Sequence, residues 1–481
     1  MRAQIRKLIF VTTSFSATAA AVACSDDAPA VRPGFGLDAS PDVVVSLPEA
    51  AAPEDGGSDA DSGTQRDPFD PADEPVSCAG AGPCATRIVA GSNHFCALMS
   101  DGTARCWGSD EYGALGGVDP AEGVGPVVVD GLHGATQLSA ARSTTCARMG
   151  DGTVMCWGSN SFGQLGLDDQ QPRSDEREHR TPSQVALRAA AVRVDVGPRN
   201  VCAVLTTGKV SCWGTNEQLQ LARTDPDFSW VVGPGIAELD PLLVKKTSIG
   251  TTTVFALTND GEVFSWGAVS GKDGFISGRR SSISPDVVPN RVGQLKSVTS
   301  LVVGPTLAKD EAGPLEQGLA PSFAPPCGWG GCPPVNMHGH ACAISEGEVY
   351  CWGRSDIGAL CTGLPDEERL PAPVPVKSKA WPQQLAIGDE ITCARMTDGS
   401  IQCCGADALG RLGPDQTSIY SALLKPIVSF KSHAVQVATS YRAVCALVKD
   451  GTVECWGSNQ FGELGMSPDE DRHATPVKIA F

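Results

Sequence analysis

The sequence predicts an all-β protein, a seven-bladed β-propeller with four-stranded blades. Two observations support this fold class. One phrase of cysteine, tryptophan and glycine occurs seven times in the 481 residues, and its copies lie about fifty residues apart, the size of a propeller blade. The chain also contains 54 glycines and 35 prolines, which is typical of short strands joined by turns rather than of helical bundles.

The first copy of the phrase shows the pattern. It contains Cys96, then Asp101-Gly102, then Cys106-Trp107-Gly108, and it ends in a glycine-rich turn over residues 112–116. The fourth copy has Phe255 and Ser265 at the two cysteine positions. The remaining copies carry the pairs Cys146 and Cys156, Cys202 and Cys212, Cys342 and Cys351, Cys393 and Cys403, and Cys445 and Cys455.

The spacing of the paired cysteines predicts that they face each other across a β-hairpin. Asp-Gly is a hairpin signal, and a three-residue loop over residues 100–102 pairs Met99 with Thr103. Counting back places Cys96 opposite Cys106 in a non-hydrogen-bonded pair, with Cα atoms about 4.5 Å apart. This separation permits a disulfide, so we predict six hairpin disulfides.

Two irregular copies support this register. In the fifth copy the cysteines are nine residues apart instead of ten, and the loop shortens to Glu346-Gly347. In the fourth copy both cysteines are missing together. Zinc binding is the alternative, but structural zinc sites have much closer cysteine spacing.

Six cysteines remain besides Cys24. Local pairing predicts bridges between Cys78 and Cys84 and between Cys327 and Cys332; a metal site formed by the latter pair with His338 and His340 is the alternative. The last two are Cys361, at a turn-glycine position, and Cys404, at the tryptophan position. We predict that they bridge the fifth and sixth blades.

Residues 1–23 are predicted to be a signal peptide. A basic head and an uncharged stretch end in Ala21-Val22-Ala23-Cys24, with small residues where a signal peptidase cuts. The segment resembles a bacterial lipoprotein signal, in which Cys24 is lipidated; Ser25 then indicates the outer membrane. A cut after Ala23 without lipidation, which gives a secreted protein, is the alternative.

Residues 24–77 are predicted to be a disordered acidic tether rich in proline, alanine and aspartate, which leaves residues 78–481 for the propeller. From residue 25 to residue 77, thirteen acidic residues accompany only Arg32 and Arg66, and such a stretch buries too little apolar surface to fold. The net charge of −18 argues against nucleic acid as a partner, because phosphate binding needs a basic surface.

The repeated phrase resembles the regulator-of-chromosome-condensation repeat, over residues 86–481. The second copy is nearly complete, with Trp157-Gly158-Ser159-Asn160 followed by Gly163-Gln164-Leu165-Gly166. In the first copy the match is carried by Gly91, His94, Trp107, Gly108, Gly113, Leu115 and Gly116. The resemblance implies a seven-bladed propeller that binds proteins. The nucleotide exchange and chromatin binding of the nuclear members are not expected of an exported, acidic chain.

The predicted function is that of a non-enzymatic lipoprotein of the cell envelope, whose propeller binds a protein or a surface glycan. The sequence has no zincin helix, phosphate loop, dinucleotide fingerprint or nucleophile elbow, so no catalytic residue, cofactor or metal ligand is predicted. One alternative is an envelope lyase or hydrolase that uses the central channel. The other, a guanine-nucleotide exchange factor, is disfavoured by the export signal.

Two irregular segments are the predicted partner-binding elements, because tryptophan is enriched at binding hot spots. An insertion at about residues 305–338, between the fourth and fifth copies, carries Trp329 in a proline-flanked loop. The connection after the third hairpin carries Phe228 and Trp230.

The C-terminal segment is predicted to close the ring. A proline-containing strand precedes each later hairpin, as at residues 126–129, but none precedes the first, and residues 475–481 form a further copy. Because an unpaired strand edge invites aggregation, we expect residues 476–480 to join the sheet of residues 86–108. Strands from both termini would then share one blade.

Substitution of Cys24 tests the lipid anchor. Cys24→Ser removes the thiol that carries the acyl chains, so the variant is expected to leave the membrane fraction while the propeller keeps its melting temperature. Cell fractionation and thermal unfolding measure the two properties. A variant that still sediments with membranes contradicts lipidation at this residue.

Overall fold

The computed structural model describes residues 74–80, 82–117, 125–167, 173–223, 229–268, 274–283, 285–304, 307–308, 337–355, 357–365, 367–415 and 418–481. Several predictions lie outside these residues. They concern the signal peptide, Cys24, most of the tether, Phe228, Cys327, Trp329 and Cys332.

The described residues form seven antiparallel sheets in chain order, which we call blades 1 to 7. Blade 1 consists of β1 (Ala85–Ala90), β2 (His94–Met99), β3 (Ala104–Gly108) and β4 (Val127–Val128). Blade 2 consists of β5 (Ala135–Ala141), β6 (Thr144–Met149), β7 (Val154–Gly158) and β8 (Ser183–Gln184). Blade 3 consists of β9 (Ala191–Val196), β10 (Asn200–Leu205), β11 (Val210–Thr215) and β12 (Val231–Ile236). Blades 4 and 5 consist of β13 (Val244–Ile249), β14 (Thr253–Thr258), β15 (Val263–Gly267) and β16 (Asp286–Arg291); and β17 (Val298–Val303), β18 (Leu307–Ala308), β19 (Met337–Ser345), β20 (Glu348–Ser355) and β21 (Glu367–Pro373). Blades 6 and 7 consist of β22 (Pro382–Gly388), β23 (Ile391–Met396), β24 (Ile401–Ala406) and β25 (Tyr420–Pro426); and β26 (Ala434–Thr439), β27 (Ala443–Val448), β28 (Val453–Ser458) and β29 (Arg472–Lys478). Two 3-10 turns, Glu111–Gly113 and Gly274–Ser277, complete the described secondary structure.

The first strands of the blades surround a central channel. Each contacts the first strand of the next blade, and β1 contacts β26, which closes a ring of seven. The predicted fold class is therefore confirmed. We call the end of the ring that carries the loops between first and second strands, and the connections between third and fourth strands, the turn face. The opposite end, with the loops between second and third strands, is the hairpin face.

The hairpin register is the predicted one. Cys96 lies opposite Cys106, and the same pairing recurs in every blade, including Phe255 opposite Ser265 in blade 4. Disulfides join the six cysteine pairs, with Cα atoms 4.0–4.1 Å apart, slightly closer than the standard cross-strand value. A further disulfide joins Cys78 to Cys84.

Neighbouring blades are linked by the tryptophans of the repeat. All six are buried, and each indole Nε1 donates a hydrogen bond of 2.7–3.0 Å to a carbonyl in the glycine-rich turn of the preceding blade. The pairs are Trp107 with Glu463, Trp157 with Ala114, Trp213 with Gln164, Trp266 with Gln220, Trp352 with Ile276, and Trp456 with Arg411. We call this contact the indole link.

The boundary between blades 5 and 6 has a disulfide in place of the indole link. Cys404 occupies the tryptophan position and is bonded to Cys361 in the turn of blade 5. The equivalent turn glycines lie against the indole: a Cβ on Gly116 would lie 2.8 Å from Trp157 Nε1. A cysteine at this turn position therefore excludes tryptophan in the next blade, so the two substitutions are coupled.

The predicted ring closure is wrong. Residues 472–478 form the fourth strand of blade 7, where Val477 pairs with Cys455, and they do not enter the sheet that contains residues 86–108. Likewise Val127 pairs with Cys106, so the proline-containing strand that precedes each hairpin is the outer strand of the blade before it. The terminal copy is thus the ordinary last strand of blade 7.

Side chains and a short strap close the ring between blades 7 and 1. Gln436 exchanges two hydrogen bonds with the backbone of Ile88, and the ring of Phe481 packs edge-on against Trp107. The strap is residues 74–79, which run along blade 7; there Ser77 N donates to Lys449 O and the carboxylate of Glu74 binds His433.

The insertion begins on the turn face. Leu307–Ala308 pairs with the first residues of β19, so the two strands that flank the insertion extend beyond the sheet there. Residues 309–336 lie outside the described part of the chain.

A substitution pair tests the coupling of Cys361 and Cys404. Cys404→Trp alone breaks the disulfide and places an indole against the Cys361 side chain, whereas Cys361→Gly/Cys404→Trp restores an indole link to Ala359. We expect the double variant to be more stable than the single variant by about 2 kcal/mol in denaturant unfolding. Equal stability of the two variants contradicts the coupling. Gly116→Cys, which creates the same clash against Trp157, is the matched control and should be destabilising.

The ring-closing turn contains a titratable group, Glu463. It is fully buried, and this burial raises the pKa of its carboxyl from 4.5 to about 7. Oε2 accepts a 2.7 Å hydrogen bond from Phe461 N, while Oε1 has no partner among the described residues. Gln164 accepts the same backbone hydrogen bond at the equivalent position of blade 2.

Replacement of Glu463 by glutamine tests its effect on stability. Below pH 4.5 the carboxyl is protonated in both folded and unfolded chains; above it the unfolded chain ionises first, so stability falls until about pH 7. The loss amounts to about 3 kcal/mol. Glu463→Gln should therefore be more stable than the parent at pH 8 and differ less at pH 4.5. Urea unfolding at both values measures this; a difference that does not change with pH overturns it.

Candidate binding face

The turn face carries the predicted binding residue that the structure describes. Trp230 lies at the start of the outer strand of blade 3 and is 60% exposed, with its carbonyl accepting a hydrogen bond from Asn216 N. The indole is thus presented to solvent by a fixed backbone. Phe228 and Trp329, the other two predicted residues, lie outside the described residues.

A single repeat position places half-exposed apolar side chains around the turn face. It is the residue before the first glycine of the glycine-rich turn. Its side chain stays at the surface because the residues that follow it are buried in the boundary between blades. In five blades this residue is Tyr112, Phe162, Ile357, Leu409 or Phe461, whereas blade 3 has Gln218 and blade 4 has Gly274. Sequence reasoning missed this set. The signal was present as an apolar residue between the repeat asparagine and the turn glycine.

Arginines from the loops between first and second strands stack on two of these rings. The guanidinium carbons of Arg142 and Arg199 lie 5.8 and 4.8 Å from the ring centre of Phe162. Arg442 stands 5.4 Å from that of Phe461. Stacking of this kind is a favourable cation–π contact.

Exposed apolar side chains are more frequent on the turn face. Among the described residues, its connections carry four large exposed ones: Trp230, Ile283, Leu364 and Ile419. The connections of the hairpin face carry Leu243 and Val428. The hairpin face also has a shallow cavity of about 390 Å³ between blades 1 and 2, lined by Leu132, Met149 and Met155.

Polar groups converge where the channel opens on the turn face. Tyr441 of blade 7 donates its backbone N–H to Ser92 O of blade 1, and Ser92 N donates to Arg142 O of blade 2. Arg411 Nη1 donates to Asp389 O and Tyr441 O at 2.8 and 2.6 Å. Loops from four blades therefore meet at this opening, which we call the channel mouth.

The electrostatics of the channel mouth are set by burial. Burial raises the pKa of the Tyr441 hydroxyl, against the opposing effects of the Arg142 charge and of hydrogen bonding to Ser92. Burial also raises the pKa of Asp389, although the charges of Arg411 and Arg442 act in the opposite direction.

The channel wall below the mouth is occupied by structural contacts. Gln137 and Gln384, on the first strands of blades 2 and 6, each bind both the N–H and the carbonyl of one residue on the next first strand. The corresponding partners are Val194 and Val437. These amides join blades and are not available to a ligand.

Comparison with known proteins identifies the repeat. Models of the regulator of chromosome condensation (RCC1) repeat match residues 85–114, 135–164 and 434–463, and also residues 151–204 and 346–395. These segments contain the same turns and indole positions described above. The chain contains RCC1 repeats in these segments.

Curated relatives and solved structures resemble this chain. The ultraviolet-B receptor UVR8 of Arabidopsis thaliana is 24% identical over 80% of this chain and 80% of its own length, and the human regulator of chromosome condensation is 28% identical over 63% of this chain and 80% of its own length. Yeast Prp20p superposes with a TM-score of 0.61 at 17% identity, covering 85% of this chain and 88% of its own. Human WBSCR16 superposes with a TM-score of 0.55 at 16% identity, covering 76% of this chain and 85% of its own. The structural matches establish the fold alone.

The repeat histidines of this RCC1-repeat propeller are blade contacts. His94 and His340 are buried, which lowers the pKa of each imidazole to about 4, and each Nε2 lies within hydrogen-bonding distance of a threonine hydroxyl in the next blade. Their partners are Thr145 and Thr392, at 2.9 and 2.7 Å. His340 Nε2 therefore already has a hydrogen-bond partner, Thr392.

In the described part of the propeller, no group of three or more histidine, cysteine or acidic side chains is arranged to hold a metal ion. No helix among the same residues has the length and apolar character needed to cross a membrane.

Proposed function

We propose that this chain is an exported, envelope-anchored platform that binds another protein on the turn face of its propeller. The observation that carries the proposal is the set of half-exposed apolar side chains at one repeat position, with arginines stacked on Phe162 and Phe461. Aromatic residues and arginine are the residue types enriched in protein interfaces and their hot spots.

The path of the N-terminal strap supports the same face. Residues 74–79 approach the ring along blade 7, where Ser77 N donates to Lys449 O and Ala79 N to Asp450 O. Lys449 and Asp450 belong to a loop of the hairpin face. The strap therefore meets the ring on the hairpin face and leaves the turn face uncovered.

The binding properties of one structural relative support a binding role. The solved structure of yeast Prp20p is described together with its binding to Gsp1p and histones. For this chain the partner is a protein of the compartment to which the signal peptide directs it. The same signal argues against nucleotide exchange as its function.

An envelope enzyme remains a second candidate because of the channel mouth. Tyr441, Arg142 and Asp389 converge there, and lyases and hydrolases use such groups for proton transfer. The channel wall favours the binding platform, since its glutamines are occupied in blade contacts.

Site-specific crosslinking in cells tests which face binds the partner. A photoreactive phenylalanine replaces Trp230 on the turn face or Leu243 on the hairpin face, two positions with matched exposures of 60% and 66%. We expect a defined protein adduct from position 230 and none from position 243. The adduct should weaken when Phe162→Ala is added. Adducts from position 243 alone contradict the proposal.

A further inference from the structure

The glycine-rich turn of blade 3 lacks both of its glycines. Leu219 and Ala222 occupy the two glycine positions with φ of 54° and 49°, in the left-handed region. Residues with a Cβ are disfavoured there, because the Cβ lies too close to a backbone carbonyl oxygen. Every other described turn has glycine at one or both positions, as in Gly113 and Gly116 of blade 1. Among the described turns, only that of blade 3 carries this strain at both.

The strained turn receives the indole link of blade 4. Gln220, between the two strained residues, accepts the 2.9 Å hydrogen bond from Trp266 Nε1. In the other blades with a repeat tryptophan, a cysteine bonded across the hairpin comes directly before it. In blade 4 this position is Ser265, opposite Phe255. Both sides of this indole link therefore depart from the repeat.

A buried asparagine at the same boundary has no polar partner. Asn200 of blade 3 is 0% exposed, and neither amide atom makes a hydrogen bond among the described residues. Side chains alternate along a strand, so Asn200 points to the same side as Cys202 and Val204. These two share a hydrophobic cluster with Val254 and Trp266 of blade 4. An unpaired amide at this boundary destabilises the closed ring, because its lost hydration is not compensated.

The equivalent position is satisfied at the other six boundaries. It is the residue opposite the glycine that follows the tryptophan position. Two histidines contact threonines of the next blade, two threonines donate to carbonyls, and two residues are apolar: His94, His340, Thr144, Thr253, Ile391 and Ala443, respectively. In blade 4 the residue equivalent to the threonine partner of His94 is Val254, which has no polar side-chain atom.

The channel side of this boundary has a polar contact. Asp195 Oδ2, on the first strand of blade 3, accepts hydrogen bonds of 2.9 Å from both Thr247 N and Thr247 Oγ1 on the first strand of blade 4. The strained turn and Asn200 lie towards the turn face instead. The boundary therefore has a joined inner side and a weakened outer side.

The weakened turn is also bonded to Trp230. Asn216 begins the turn, and its N–H donates to Trp230 O at 2.8 Å. Its side-chain oxygen accepts a 3.0 Å hydrogen bond from Leu221 N, within the turn. A displacement of the turn therefore displaces the exposed indole of Trp230 as well.

We propose that residues 216–222 and Trp266 form a latch between blades 3 and 4, which opens on the turn face while the channel side stays joined. In the open state the Trp266 indole leaves Gln220, the Asn200 amide reaches water, and Trp230 moves with the turn. Opening relieves the backbone strain of the turn and hydrates the amide, so it costs less free energy than at the other boundaries. This inference goes beyond the proposed function and does not rest on it.

Hydrogen–deuterium exchange of the full chain at neutral pH, measured by mass spectrometry, tests the latch. The turns over residues 216–222 and 160–166 have the same three hydrogen bonds from backbone N–H groups, with Asn216 and Asn160 as acceptors of two. Blade 2, however, has Gly163 and Gly166 at the strained positions. After correction for intrinsic rates, residues 216–222 should exchange about tenfold faster.

Two variants should slow exchange at the latch. Ala222→Gly removes the strain at one position. Asn200→Ile removes the unpaired amide and copies the boundary between blades 6 and 7, where Ile391 and Val444 share a hydrophobic cluster. Each variant should slow the exchange of residues 216–222 about fivefold and leave residues 160–166 unchanged.

Gly413→Ala is the matched gain of strain, at the position of blade 6 equivalent to Ala222. Gly413 has φ of 91°, and an added Cβ would meet no atom closer than 3.6 Å, so the change alters the backbone preference without a clash. It should speed the exchange of residues 407–413 by about fivefold.

Three results would overturn the latch. The first is equal exchange of residues 216–222 and 160–166 in the parent chain. The second is fast exchange throughout blade 4, including Val244–Ile249, which indicates unfolding of the blade rather than opening with a joined channel side. The third is fast exchange of residues 216–222 that neither Ala222→Gly nor Asn200→Ile slows, which assigns the motion to fraying of the loop.

Discussion

The architecture depends on one contact, the hydrogen bond from a buried indole to the glycine-rich turn of the preceding blade. It joins the two most regular parts of the repeat, the Trp-Gly dipeptide and the turn, and places them in different blades. Trp107 and Glu463 make this contact between the first and last blades, so the ring closes by the same interaction that builds it. Where Cys404 replaces the tryptophan, a disulfide to Cys361 maintains the connection. Every boundary between blades is therefore linked at the equivalent position of the repeat.

Much of this fold follows from the sequence because its determinants are local. The Asp-Gly loops set the hairpin register, and the shortened loop at Glu346-Gly347 keeps Cys342 opposite Cys351. The ring closure was wrong because the outer strand lies far along the chain from its partner. Val477 follows Cys455 by a long connection, and connection length alone does not show to which blade a strand belongs. The candidate site was only partly predictable, since Trp230 stands out by type whereas Phe162 is visible only by comparison of the repeats.

A second set of contacts between blades lies near the channel. It explains how the loops on the two faces remain free to vary in sequence. At some boundaries a glutamine hydrogen-bonds to the first strand of the next blade, as Gln137 does to Val194. At others a buried histidine and threonine form the contact, as His94 and Thr145 do. These contacts lie inside the ring. Residues at the tips of the connections contribute less to folding, and substitutions there alter the binding surface at small cost in stability.

Arg411 connects the indole link between blades 6 and 7 to the channel mouth. Its carbonyl accepts the indole hydrogen bond of Trp456, while its guanidinium binds the carbonyls of Asp389 and Tyr441 at the channel mouth. The loops that present Tyr441 and Arg442 are therefore positioned by the turn that holds blades 6 and 7 together. Because this turn is buried, its contacts fix the positions of both loops at the mouth. The geometry of the channel mouth thus derives from the same boundary contact that makes the propeller.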